Sequence, residues 1–233
     1  MKFEKWKKFA FYLAIIGVVQ FFVLCIIAMI FYPGGTELNP NIRGYSFFLN
    51  AYSDLGRVYS LSGELNTISR FLFVVALILI NLFLIPFYLA MNSFFKGNRI
   101  ESLFSSLATL SGIISVSFGI GTALYPADLY PSFHLSSAIT FGIFSFFMLS
   151  FYTIPIVLNH SYPNRYGYIT IFYTVLLAIY LLVILLNSPP LTEIGLIILV
   201  TGQKIVLFLG FICILVLALG AIKVYDISTI SRQ

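Results

Sequence analysis

The feature that most restricts this chain is the repeated occurrence of apolar runs about 20 residues long, the length a helix needs to cross a bilayer. Lipid offers no water to backbone N–H and C=O groups, so such runs must be helices that satisfy their own hydrogen bonds. A membrane β-barrel is excluded, because its sequence would show shorter segments of alternating polarity. Charged residues are only 9% of the chain, and the apolar runs leave no room for a separate soluble domain. The expectation is an all-α polytopic membrane protein. It is a six-transmembrane-helix bundle in one integral membrane domain over 1–233, with spans near 9–32, 68–92, 103–125, 133–158, 168–186 and 197–222.

Lys2, Lys5, Lys7 and Lys8 precede the first span. A basic start before an apolar run resembles a secretion signal, but this run is too long for a signal core and no small-residue cleavage site follows. It is read as the first membrane helix. Six spans put both termini on one side, together with Lys96, Arg99, Arg165, Lys223 and Arg232, whereas Arg43, Arg57, Arg70 and Lys204 fall opposite. The positive-inside rule then makes both termini cytoplasmic, in a cell membrane. The net charge of +5 reflects this topology, not a nucleic-acid footprint. Membrane lipid is the expected partner, and the sequence leaves protein partners open. Cys25 and Cys213 both lie inside spans, so neither a disulfide framework nor a zinc motif is available, and no cofactor is expected.

Several residues mark the spans. Gln20 sits near the middle of the first and is expected to bond to a neighbouring helix. Pro86 is expected to kink the second. In the third, Ala108, Gly112, Ser115 and Gly119 share one face. Small residues so spaced let helices approach closely, which predicts a central place for this span and a helix backbone against Gly112. Tyr125, Tyr130, Tyr166 and Tyr168 suit interfacial belts.

Between the first two spans runs Gly44 to Gly63, GYSFFLNAYSDLGRVYSLSG. Tyr45, Phe48, Leu49 and Tyr52 recur at helical spacing, and Ser46, Asn50, Ser53 and Arg57 recur on another face. This predicts a short extracytoplasmic amphipathic helix. Its polar face looks either inward, toward other charged residues, or outward to water. Asp54, Arg57, Glu64, Arg70, Asp128, His134, Glu193 and Lys204 all map to that outer side. Ionisable groups at membrane depth are costly and mark either a site or the pairing of helix ends. Lys204 lies well inside a sixth span that begins near Ile194. It requires a later helix start near Gly202 or an inward carboxylate partner, with Asp54 preferred and Asp128 and Glu193 as substitutes.

Asp54 and His134 are the candidate acid–base residues, each with a structural alternative. For Asp54 this is bonding to nearby amides, for His134 bonding to the Tyr130–Pro131 turn, and Asp128 is read as a cap on that turn. One histidine plus carboxylates is a poor zinc set, since His134 and His160 fall on opposite sides. No nucleophile-elbow motif accompanies Ser53 and His134, and no phosphate-binding glycine loop is present.

Asn50-Ala51-Tyr52-Ser53-Asp54-Leu55-Gly56 after a first span and a Tyr-Pro turn resembles an uncharacterised prokaryotic membrane family, domain of unknown function 998. The Tyr125-Pro126-Ala127-Asp128 turn and the helix start at His134 are similar to its second motif, and the six-span layout matches nearly the whole chain. The resemblance implies a six-helix bundle but no established activity. A looser architectural likeness exists to eukaryotic six-span proteins of stress response, autophagy and lipid organisation.

Three functions follow. The first is a non-enzymatic protein with an outward-facing polar pocket, formed by Asn50, Ser53, Asp54, Arg57, Arg70, Asp128, His134 and Lys204, that binds a lipid headgroup or small amphiphile. The second is an enzyme acting on a lipid at the outer leaflet through Asp54 and His134. The third, a small-solute transporter, lacks the inverted repeat and matching broken helices of that class.

Overall fold

The computed structural model describes residues 2–159, 162–186 and 192–230; His160, the Asn187–Pro190 segment and Arg232 lie outside them. Six helices dominate: α1 Lys2–Ile30, α2 Thr67–Asn92, α3 Arg99–Leu124, α4 Pro131–Leu158, α5 Arg165–Leu186 and α6 Glu193–Ile230. All six are long and apolar enough to cross a membrane, so the chain is a multi-pass membrane helix bundle. The helices begin earlier than hydropathy alone predicts, because polar first turns are helical too. Asn98 shows why for α3: its side chain accepts the Glu101 N–H at 2.9 Å and caps the helix.

Consecutive helices pack side by side and α6 returns to α1. The bundle is therefore a closed ring. This corrects the expected central place of the third span: α3 is a ring member between α2 and α4. The Lys8–Asp226 ion pair, at 2.8 Å, joins α1 to α6. Interhelical hydrogen bonds fasten the other contacts, as small polar side chains do in lipid. Gln20 donates from α1 to the Ala76 carbonyl of α2 at 3.0 Å, as expected. Tyr152 of α4 donates to the Tyr88 carbonyl of α2 at 2.9 Å. Ser115 of α3 donates to the Phe141 carbonyl of α4 at 3.1 Å.

The small face of α3 is used differently from the expectation. A Cβ on Gly112 would stand 2.7 Å from the Tyr88 ring, so the close neighbour is an aromatic side chain and not a backbone. Gly119 likewise receives the amide of Asn81. Gly112→Leu is expected to lower stability by about 1–3 kcal/mol, because Tyr88 must leave its rotamer or α2 and α3 must part. Thermal unfolding in detergent measures this, and an unchanged midpoint would contradict the packing. Tyr166 also departs from the expected belt, being buried against Tyr162 and the glycine face of Gly220. Tyr168 stays exposed.

The segment between α1 and α2 folds back over one end of the ring as a cap. Its only helical part among the described residues is a 3-10 turn, Tyr52–Gly56. The amphipathic helix expected from the spacing is thus confined to five residues. A helix this short is marginal alone, and the polar side chains of the segment capture backbone amides instead. Asn50 Oδ1 accepts the Ser46 N–H at 2.9 Å, and Asp54 Oδ2 accepts the Ala51 N–H at 2.8 Å. Tyr45 and Tyr52 turn inward, while Phe47 and Phe48 stay exposed.

The cap enters the ring. Tyr52 meets Phe21 with ring centroids 6.0 Å apart, and Phe21 lies about 14 Å below the end of α1 by helical rise. Non-helical backbone at that depth must be buried in protein and fully paired. The Tyr52 N–H is paired by Gln203 Oε1 at 2.9 Å. The Leu55 carbonyl is paired by Asn66 Nδ2 and the Ser69 hydroxyl. Gly35 seats the outer part of the cap: it has φ +84°, and a Cβ there would lie 2.2 Å from the Leu61 carbonyl carbon and the Ser62 nitrogen.

Candidate functional site

Asn50 is the centre of the cap and is completely buried. Its Nδ2 donates to the Gly35 carbonyl at 2.9 Å and to Asp54 Oδ2 at 3.2 Å. Its own carbonyl accepts the Tyr45 hydroxyl at 2.9 Å and the Lys204 ammonium. Burial pushes the Tyr45 hydroxyl well above its ordinary range, and that of Tyr52 up to about 12. Both stay neutral, and the Tyr45 hydroxyl acts as a donor.

Lys204 corrects the expected ion pair. Helix α6 is continuous from Glu193, so Lys204 sits about 16 Å into it by helical rise, and the later helix start is not used. The side chain turns inward as expected, but among the described residues no carboxylate lies within ion-pair distance. Its ammonium donates to the Asn50 and Val200 carbonyls and faces the rings of Phe47, Tyr45 and Tyr52 at 5.1, 5.5 and 5.8 Å. Carbonyl dipoles and aromatic faces replace the missing anion. Asp54 is one hydrogen bond away, through Asn50. Burial raises the Asp54 carboxyl above its usual range; the Ala51 amide, the nearby Arg57 charge and the Asn50 amide oppose this shift.

Arg57 and Asp128 also serve the cap. Arg57 lies 3.7 Å from Asp54 and 3.9 Å from Glu37. Asp128 does not cap its own turn. Its two oxygens accept the Val58 and Tyr59 N–H groups at 3.1 and 2.9 Å, clipping the cap to the α3–α4 turn. Arg70 forms no ion pair among the described residues. The His134 side chain bonds to the end of α3, its Nδ1–H donating to the Tyr125 carbonyl at 2.8 Å, while its backbone N–H donates to the Tyr130 carbonyl of the preceding turn at 2.9 Å. In the neutral ring this leaves Nε2 as an acceptor. Asp54 and His134 are not hydrogen-bonded to each other.

What the structure adds is a cavity of about 320 Å³ on the ring axis, within the size range of small-molecule sites. Along α2 its lining runs from Phe73 to Tyr88, about 22 Å at the helical rise. It is long, narrow and mostly apolar. Polar groups gather at the cap end, where Ser53, Thr122, His134 and Gln203 line it. Leu135, exposed on the bundle surface, also lines it, so the cavity reaches the surface beside the first turn of α4. Of the eight site residues read from the sequence, Ser53 and His134 line this cavity and the other six do not. Sequence reasoning missed Gln203, Thr122 and the deeper Tyr173 as lining residues. Gly119, Gly142 and Gly210, spread over three spans, face the axis, and their small size was the available signal.

The fold and site define a class: a ring of six membrane helices around a capped, largely apolar axial cavity. Comparison with known protein families, curated proteins and solved structures gives no match.

Proposed function

We propose that this protein binds a lipid or another small amphiphile in its axial cavity, from within a cytoplasmic membrane with both termini on the cytoplasmic side. The orientation rests on the lysines and arginines at the end away from the cap: Lys96, Arg99, Arg165 and Lys223. Kinship with the domain of unknown function 998 family is part of the same reading and rests on Ser53-Asp54-Leu55-Gly56 and the Tyr125–Asp128 turn.

The observation that carries the function is the shape and chemistry of the cavity. A narrow apolar channel with hydrogen-bonding groups at one end and an opening beside Leu135 fits a molecule with one apolar chain and one polar end. The cap charges take a supporting role, holding the roof in which Ser53 sits.

Native mass spectrometry of the purified protein tests the reading. The wild type is expected to retain amphiphile. Ala138→Trp, which places a large ring in the cavity, is expected to lose it while the bundle stays folded. Equal retention by both forms would place the bound lipid outside the cavity and overturn the function.

A further inference from the structure

We infer that the head group held at the cap end of the cavity is uncharged and hydrogen-bonding, as in an alcohol, glycerol ester or amide, and is neither a phosphate nor a carboxylate. This rests on the cavity being the amphiphile site.

Its ground is a charge census of the cavity wall. Among the described residues no lysine, arginine, aspartate or glutamate lines it. The cations nearest the cap do not line the wall, although the Arg57 charge acts on His134 and Arg70 forms no ion pair among the described residues. Lys204 is 3% exposed, bonded to the Asn50 and Val200 carbonyls. Its ammonium faces the ring of Tyr52, which lines the cavity where Lys204 does not. Arg57 lies against Asp54 and Glu37. The anion Asp128 is occupied by the Val58 and Tyr59 amides. An ionised head placed among Ser53, Thr122, His134 and Gln203 would lose its hydration with no counter-charge on the wall itself, which is strongly unfavourable.

A neutral head meets what it needs. Gln203 Oε1 already accepts the Tyr52 N–H, which leaves the two hydrogens on Nε2 for an acceptor oxygen. The Ser53 hydroxyl makes no hydrogen bond within the described residues and is free to donate or accept. His134 lines the same end, with Nδ1–H on the Tyr125 carbonyl and the Thr122 carbonyl also beside its ring. Donors and acceptors are thus both present, the combination that recognises an alcohol or amide.

The test uses two probes with the same chain, 1-oleoylglycerol and 1-oleoyl lysophosphatidate, offered to the full-length protein in detergent and counted by native mass spectrometry. The wild type is expected to retain the glycerol ester at least about tenfold better, given the cost of burying an unpaired ion. Ser53→Lys, which puts a cation at the cap end, is expected to shift the ratio toward the phosphate; an unchanged ratio in folded Ser53→Lys would overturn the placement of the head. Wild-type retention of the phosphate equal to or above the ester, lost in Ala138→Trp, would overturn the neutral head while leaving the cavity reading intact. Retention of neither probe, or retention indifferent to Ala138→Trp, would overturn the cavity reading and this inference with it. The wild-type ratio alone decides the head chemistry should Ser53→Lys fail to fold.

Discussion

Asn50→Ala will release the cap and expose Cys25 to alkylation. The asparagine is fully buried, and truncation strands the Ser46 N–H and the Gly35 carbonyl and leaves Asp54 Oδ2 with the Ala51 amide alone. Each buried group left unpaired costs about 1–3 kcal/mol, and more where a charge is involved. Some of these groups will find water, so a total of about 3–5 kcal/mol is expected. The loss should be local, because the helix ring has its own contacts. Cys25 is a native reporter: it is 1% exposed, one helical turn from Phe21, which Tyr52 covers. Each 1.4 kcal/mol is tenfold in the open population, so alkylation of Cys25 in a Cys213→Ala background should accelerate about a hundredfold or more. An unchanged rate would mean that Asn50 does not hold the cap.

Gly35→Ala is expected to cost more than about 3 kcal/mol, with two separable causes. Its φ of +84° disfavours any side chain, by about 1–2 kcal/mol. The larger part is steric: the new methyl would lie 2.2 Å from the Leu61 carbonyl carbon and the Ser62 nitrogen. Those are backbone atoms, so the Gly34–Ser62 contact must open, taking with it the Gly35 carbonyl that Asn50 needs. Gly44 supplies the control. Its φ is +71°, but nothing lies within 4 Å of a Cβ there, so Gly44→Ala should show the conformational part alone. Thermal unfolding in detergent and the Cys25 alkylation rate compare the two. Equal losses at both positions would remove the close backbone contact from the account.

The helix ring and its spans were legible because their cause is local. A run of apolar residues the width of a bilayer has one stable backbone form, and this holds whatever its neighbours do. The partner of Gln20 was legible for the same reason: a polar side chain in lipid must bond to the next helix. Failures begin where the partner comes from far along the chain. Helical spacing in Tyr45–Tyr52 was real as a pattern, but it described which rings could pack, not a helix. Asn50 and Asp54 overrode it by binding backbone amides. For Lys204 the need for an inward partner followed from its depth. That the partner would be a main-chain carbonyl and three aromatic faces depended on where the cap came to rest.

What the sequence determined by itself was therefore the number and type of elements and the residues that could not face lipid. Hydrophobic length and the demand for backbone hydrogen bonds decide these, and both are read residue by residue. The tertiary structure alone decided that the helices close into a ring, that the cap charges pair with backbone and leave the cavity uncharged, and that Ser53 and His134 meet Gln203 at its upper end. A cavity is the space left between side chains of six helices. Its existence depends on how those helices are spaced, and no single stretch of sequence encodes that.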